Sequence, residues 1–103
     1  MALRETEMIR KIRLVEELKA ELAVSLGAVM LAIAGGMRSQ MADMLARLVV
    51  ACYVLSRHLG IGYEALDEAV DQRLQAPLDA EKQKIEDWYG DYRTLRRYRR
   101  IRE

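Results

Sequence analysis

The stretch QMADMLARLVVACYVLSRHLGIGYEALDEAVDQRL, residues 40–74, decides the fold of this chain. Its first half predicts a long apolar helix over residues 40–59. Its second half predicts a short amphipathic helix over residues 63–74, because the apolar residues there recur every four positions. Gly60-Ile61-Gly62 separates the two halves, and glycine readily ends a helix and turns the chain. The stretch therefore predicts two helices joined by a glycine corner.

The helix predicted over residues 40–59 is apolar on more than one side. One side begins with Gln40, Asp43 and Arg47 and becomes apolar at Val50 and Val54. A helix that is apolar nearly all round is buried on more than one face. We therefore expect it to pack between the preceding helix and a second subunit. Its other side is lined by Met41, Leu45, Leu48, Cys52, Leu55 and Leu59.

A long helix is predicted before this stretch, over residues 3–33. Its apolar residues recur at spacings of three, four and seven, which is the period of one helical face. Gly35-Gly36 should end this helix, and Ser39 is the expected N-cap of the next one. The predicted buried stripe consists of Met8, Ile12, Val15, Leu22, Leu26, Val29 and Ile33.

The C-terminal part predicts shorter elements. Residues 75–78 form a loop that contains Pro77, and Asp79 can cap a further helix over residues 79–89. Gly90-Asp91 should break that helix, after which a final helical turn or two carries a group of arginines. The chain is thus expected to be an all-α bundle of about four helices in a single domain.

Size and composition fit a small helical protein that associates. The chain has 103 residues, of which 51% are hydrophobic. Chains of this size bury a smaller share of their surface than larger ones, so we expect a homodimer or homotetramer. Its one cysteine, Cys52, is expected to be a small buried hydrophobe. The most apolar window, residues 22–34, is shorter than the roughly 20 residues of a membrane span, so we expect a cytoplasmic protein without membrane contact.

Charge is distributed unevenly along the chain. The net charge is +1, yet residues 92–103, the basic tail YRTLRRYRRIRE, hold six of the 17 Lys/Arg residues and one of the 16 Asp/Glu residues. Guanidinium groups suit bidentate contacts with phosphate. Three interpretations stay open: the tail docks on an acidic surface of its own chain or partner, which we favour; it contacts a nucleotide phosphate, for which we assign Arg96; or it contacts nucleic acid.

Two groups of acidic residues could carry chemistry. Glu16, Glu17 and Glu21 lie on the first helix, and Asp43 lies on the second, one turn before Arg47. An Asp43–Arg47 ion pair on one helix would contribute about 0.2–0.5 kcal/mol when exposed. Both groups could therefore be solvated surface. Alternatively, carboxylates of adjacent helices could converge on a divalent cation such as Mg²⁺.

The order of three segments resembles a known family: ELKAEL at 17–22, MADML at 41–45 and LSRHLGIGYEALDEAVDQRL at 55–74. They are similar to the MazG-like nucleotide pyrophosphohydrolases of the all-α NTP pyrophosphatase group. The ending IEDWYGDYRTLRRY at 85–98 is similar to that of the short, single-domain MazG-like proteins. The resemblance implies the fold of that group and cleavage of a nucleoside triphosphate to a monophosphate and pyrophosphate, with Mg²⁺ or Mn²⁺.

The resemblance also implies roles for individual residues. The family holds its metal on an E-E-x-x-E set on the first helix and an E-x-x-D set on the next. Residues 16–17 match the leading pair, and Asp43 matches the closing aspartate. The resemblance thus implies Glu17, Glu21 and Asp43 as metal ligands, and Glu17 and Asp43 as the catalytic pair. Clustered carboxylates bind metals that polarise phosphoryl groups and activate water.

Two positions depart from this motif. Ala20 stands where the third glutamate belongs, with Glu21 one residue further, and such a shift rotates a side chain by about 100°. Gln40 replaces a glutamate, and its neutral amide is a poorer ligand. Two functions therefore stay open. One is a metal-dependent pyrophosphohydrolase with a degenerate site, in which Arg47 takes phosphate charge. The other is a non-catalytic helical binding or regulatory module that contacts nucleotide or nucleic acid through the basic tail.

Overall fold

The structure, a computed structural model, describes the backbone of residues 2–75 and 86–102 and the side chains of residues 5–75 and 90–101. The described residues form helices and short connections, with no strand. The helices are α1 (Ala2–Gly35), α2 (Arg38–His58), α3 (Tyr63–Gln75) and α4 (Glu86–Arg102). The predicted all-α class is confirmed. The predicted loop at Pro77 and the predicted helix start at Asp79 lie outside the described residues.

The connection from α1 to α2 is two residues long. Gly36 adopts φ +68°, and its N–H donates to the carbonyl of Ile33 at 3.1 Å. This left-handed conformation favours glycine and confirms that the glycine pair ends α1. The predicted N-cap is wrong, however. Met37 is the N-cap and makes no side-chain capping hydrogen bond, because the tight glycine turn lets α2 begin before Ser39, which lies inside its first turn.

The corner from α2 to α3 is a Schellman motif. Gly60 adopts φ +84°, and its N–H donates to the carbonyl of Arg57 at 3.1 Å. The N–H of Ile61 donates to the carbonyl of Ser56 at 2.9 Å. The buried Ser56 hydroxyl in turn donates to the Ile61 carbonyl at 3.0 Å. The prediction that Gly60 ends the second helix is confirmed.

α1 and α2 pack against each other, but few side chains are fully buried between them. The buried apolar residues are Val29, Ala32 and Ala51, each exposed by no more than 6%. Of these, the predicted stripe of α1 contains Val29. Apolar side chains are left exposed because α1 is apolar around much of its circumference and α2 covers one strip of it. In this single chain the exposed members of the predicted stripe are Met8, Ile12, Leu26 and Ile33.

The predicted apolar side of α2 is also only partly covered. Leu48 and Leu55 are half-buried, whereas Leu45 and Leu59 are exposed. Cys52 is a free, exposed thiol in this chain. The expectation that it is buried is therefore wrong for the chain alone, since the side of α2 that faces α1 is centred on Ala51.

α4 continues through the position where a break was predicted. Gly90 and Asp91 both lie within the helix, and the Thr94 hydroxyl donates to the Gly90 carbonyl at 2.9 Å. A glycine inside a helix costs only about 1 kcal/mol, and the arginines and Leu95 that follow are good helix formers. Residues 92–102 of the basic tail therefore belong to one longer helix rather than to an isolated turn or two.

The chain divides into two compact units, Met1–Tyr63 and Glu64–Glu103. The expectation of a single domain remains a prediction. By length and composition, one helix of the described chain could cross a membrane, because an 18-residue stretch within Glu5–Gly35 is sufficiently apolar, with a mean hydropathy of 1.7. The core helix of a soluble protein and a signal sequence share this property, so the absence of membrane contact also remains a prediction.

Candidate functional site

The first candidate site is a groove between α1 and α2, which we call the α1–α2 groove. Its volume is ≈ 390 Å³. Most of its lining is apolar, and its ionisable groups come from both helices. Such a lining, with a few polar groups among apolar ones, is typical of ligand pockets. The groove is lined by Leu18 and Glu21 of α1 and by Asp43, Ala46, Arg47, Val50, Ala51 and Val54 of α2.

A bidentate ion pair joins the two helices in this groove. The Nε of Arg47 donates to Oε1 of Glu21 at 2.6 Å, and its Nη2 donates to Oε2 at 3.0 Å. The hydroxyl of Ser25, which is fully buried, donates to Oε1 of Glu21 at 3.1 Å. Both carboxylate oxygens of Glu21 are therefore already engaged, and fork-to-fork pairing of this kind fixes geometry as well as charge.

The pair stays charged across a wide range of pH. The hydrogen bond from Arg47 is the main reason that the pKa of Glu21 is lowered from its ordinary 4.5, and the hydroxyl of Ser25 acts in the same direction. The hydrogen bond to Glu21 in turn raises the pKa of Arg47. At neutral pH the groove therefore contains a carboxylate and a guanidinium that neutralise each other.

Asp43 faces the same groove without completing the expected intrahelical pair. Its charge raises the pKa of Arg47, but the ion pair that Arg47 forms is with Glu21. The structure thus brings together three of the sequence-predicted residues, namely Glu21, Asp43 and Arg47. They carry two negative charges and one positive charge, so the groove retains one excess negative charge.

The remaining residues of the acidic motif lie elsewhere. Glu16 pairs with Lys19 on the surface of α1 at 3.0 Å. Glu17 and Gln40 are exposed, and neither lines the groove. In the part of the chain that the structure describes, no three His, Cys, Asp or Glu side chains gather as metal ligands would.

This donor set does not fit a divalent cation. Mg²⁺ and Mn²⁺ prefer several oxygen ligands, whereas Glu21 has both oxygens bonded to Arg47 and Asp43 is one further carboxylate. Ala20 and Gln40 supply no charge where the acidic motif has glutamates. The guanidinium of Arg47 compensates the charge of Glu21. The assignment of Glu17, Glu21 and Asp43 as metal ligands, and of Glu17 and Asp43 as catalytic residues, remains a prediction.

Comparison with known proteins supports the resemblance to the MazG-like family. The profile of the MazG-like family matches residues 8–92, which is most of the chain. The chain belongs to the MazG-like family. Neither the curated proteins nor the solved structures contain a match to it. For this MazG-like protein, membership indicates a function of the NTP pyrophosphatase type at the level of the family.

A second site of this MazG-like protein lies within the unit 64–103, and the sequence reasoning assigned only one of its residues. We call it the α3–α4 pocket, and its volume is ≈ 240 Å³. Sequence reasoning placed Arg96 at a nucleotide but did not connect it to α3. The acids of α3 one turn apart, Asp67 and Asp71, were the signal that could have located it. The pocket is lined by Asp71, Gln75, Arg96, Arg99 and Arg100.

Arg99 anchors α4 to α3 at this pocket. Its Nε donates to Oδ1 of Asp71 at 2.9 Å, and its Nη2 donates to the backbone carbonyl of Asp67 at 3.2 Å. The same Nη2 lies 3.6 Å from the carboxylate of Asp67. The Arg99 side chain is only 20% exposed. These contacts agree with the interpretation that the basic tail docks on acidic residues of its own chain.

Proposed function

We propose that this MazG-like protein is a helical binding module that associates with further copies of itself and does not hydrolyse nucleotides through a divalent metal in its α1–α2 groove. The observation that carries this proposal is the bidentate pair between Arg47 and Glu21. It places a permanent cation on the carboxylate that a metal would need.

Charge supports the loss of metal chemistry. A divalent cation bound at Glu21 would have to displace a guanidinium that engages both carboxylate oxygens in bidentate geometry. It would gain at most two carboxylates from the groove, Glu21 and Asp43. Without a metal, the excess negative charge of the groove also repels a triphosphate. The groove is therefore poorly suited to bring nucleotide phosphates and water together.

Exposed apolar surface supports association. Three apolar residues of α1 and α2 are buried, with at most 6% of each exposed, which is a thin core for helices of their length. Larger apolar side chains remain exposed, among them Met30 at 64%, Leu31 at 76% and Val50 at 60%. Exposed apolar side chains on both helices offer a surface for association, and a second copy of the chain supplies the same apolar helices in return. We infer a homodimer or homotetramer built on α1 and α2.

Molecular mass in solution tests the association. Light scattering on the full chain without detergent should give twice or four times the mass of 11.9 kDa. Leu31→Glu, which places a charge on the most exposed of these apolar residues, should shift the mass toward one chain. Glu7→Lys, a charge change at an exposed position of α1, is the matched control. A single-chain mass for the wild-type protein, or protein that is soluble only with detergent, would contradict the association.

A second candidate function is the pyrophosphohydrolase reaction of the family type, NTP plus water giving NMP and pyrophosphate. It is favoured by the presence of Glu21 and Asp43, from adjacent helices, in one groove, together with membership of the family. For this function Glu21 would have to exchange Arg47 for a metal when the nucleotide arrives, and Arg47 would then be free to take phosphate charge.

One assay separates the two candidates. Pyrophosphate release is measured for a panel of nucleoside triphosphates with Mg²⁺ or Mn²⁺, using wild-type protein, Asp43→Ala and Arg47→Met. We expect no turnover by any of the three. Turnover by wild-type protein that Asp43→Ala abolishes would overturn our proposal in favour of the hydrolase. Circular dichroism on each variant ensures that a lack of activity is not a lack of folding.

A further inference from the structure

We propose that the α3–α4 pocket is a phosphate-binding site. Arg96 and Arg100 bind a phosphate or diphosphate group, and Arg99 fixes α4 to α3. The site is distinct from the acidic motif of α1 and α2, and it requires no metal.

The pocket has an excess of positive charge. Its lining holds three guanidinium groups and one carboxylate. When Asp67 is counted as well, because it also contacts Arg99, the excess is still positive. An arginine cluster in a concave site attracts anions, and its guanidinium groups match the oxygens of phosphate in a bidentate geometry.

The three arginines have different roles: one is held by acidic residues, and two have donors left for a ligand. Arg99 is committed to Asp67 and Asp71 and is only 20% exposed, so its orientation is fixed by the protein. Arg96 and Arg100 have no hydrogen bond or ion pair within the described residues, and they lie one turn apart on the same face of α4. Two guanidinium groups with unused donors, beside a third that is held in place, form a partly preorganised anion site.

Size favours a small phosphate group over a whole nucleotide. Pockets that enclose drug-sized ligands have volumes of about 300–1,000 Å³, and the α3–α4 pocket has ≈ 240 Å³. A phosphate or diphosphate fits this volume, and an attached sugar and base would extend out of it. Gln75 adds an amide group to the lining, and this group can donate to a phosphate oxygen. The ligand class is therefore a phosphate ester or a di- or triphosphate end.

Calorimetry with inorganic pyrophosphate tests the site on the full-length chain. The buffer contains EDTA, so that metal in the α1–α2 groove plays no part and failure of the proposed function does not affect the result. We expect wild-type binding, with affinity lowered about tenfold or more in Arg96→Gln and in Arg100→Gln, because each removes a charge-assisted contact. Arg97→Gln removes the same charge from an exposed position outside the pocket, and we expect a loss of less than about twofold.

Three outcomes would overturn the proposal. The first is no binding of pyrophosphate by wild-type protein. The second is an equal loss in Arg96→Gln and Arg97→Gln, which would mean diffuse attraction to a basic helix. The third comes from a parallel titration with a single-stranded oligonucleotide and with ATP. Tighter binding of the oligonucleotide, with a steep salt dependence and equal sensitivity to all three variants, would make α4 a nucleic-acid surface instead.

Discussion

Arg47 in the α1–α2 groove and Arg99 in the α3–α4 pocket both reach from one helix to a carboxylate of another. Arg47 meets Glu21 with two donors beside a further acid, Asp43, and the groove keeps an excess negative charge. Arg99 meets Asp71 and Asp67 beside two further arginines, and the pocket keeps an excess positive charge. The same kind of ion pair thus lies in a site that we propose to be unsuited to phosphate and in one that we propose to bind it, because the neighbouring residues set the sign of the net charge.

The largest effect is expected at Arg99, which pairs with Asp67 and Asp71 of α3. Arg99→Met should remove about 1–2 kcal/mol of local stability from α4, the value of hydrogen bonds to charged groups that are partly exposed. Amide hydrogen exchange in α4 should then speed up by about tenfold. Arg97→Met, at an exposed position of the same helix, is the control. Equal exchange rates in the two variants would mean that Arg99 does not hold α4 to α3.

The next prediction concerns the buried hydroxyl of Ser25, which donates to Glu21 of the α1–α2 groove. Ser25→Ala removes the donor that supports Glu21, and we expect the free energy of unfolding to fall by about 1 kcal/mol, as measured by urea denaturation. Ser39→Ala, in the first turn of α2, is a matched control because its side chain is exposed. A loss in Ser39→Ala as large as in Ser25→Ala would show that the hydroxyl does not fix the Glu21–Arg47 pair.

A substitution at Gly27 tests whether a second copy of the chain packs on this part of α1. A Cβ at Gly27 meets no atom within 4 Å in the single chain, so Gly27→Ala should strengthen α1 by about 0.5–1 kcal/mol. A second copy packed closely on this part of α1 would be pushed away, and we therefore expect weaker self-association in sedimentation velocity.

Gly62→Ala, outside α1 and equally free of neighbours, is the control for that experiment. Unchanged association in Gly27→Ala would place the interface between copies on another part of α1 or α2.

Acid should produce the smallest effect, through Glu21 of the groove. Because the pKa of Glu21 is lowered in the folded state, the pair stabilises the protein fully above the ordinary value of 4.5. That contribution is lost as pH falls through the folded pKa. Urea denaturation from about pH 6 to about pH 3 should show the difference between wild-type protein and Glu21→Gln shrinking. A difference that stays constant or grows toward low pH would contradict the sign.

The helices were predictable because each carries its own local signal. Gly36 and Gly60 mark ends that only glycine adopts easily, and both lie where the sequence placed them. The predictions at Ser39 and Gly90 were wrong because each rested on a local preference of only about 1 kcal/mol. At Ser39 the geometry of a two-residue turn outweighed that preference. At Gly90 the good helix formers that follow outweighed it. The buried stripe of α1 was only partly predictable, since an all-round apolar helix does not reveal which strip its neighbour covers.

The site was predictable as a set of residues but not as a set of contacts. Spacing along α2 paired Asp43 with Arg47, the family resemblance added Glu21, and all three line one groove. Spacing could not show that Arg47 prefers Glu21 of the other helix to Asp43 of its own. That choice depends on the rotation and separation of two packed helices. Residue spacing within each helix does not predict either quantity.

The thin core between α1 and α2 has a consequence for how the stability of this protein is to be measured. In the proposed homodimer or homotetramer, where few apolar residues of α1 and α2 are buried inside one chain, much of the free energy of unfolding would belong to the assembly. Mass action then makes the melting temperature depend on protein concentration. Each tenfold dilution removes about 1.4 kcal/mol from the association of a dimer, so two laboratories working at different concentrations would measure different stabilities for the same sequence.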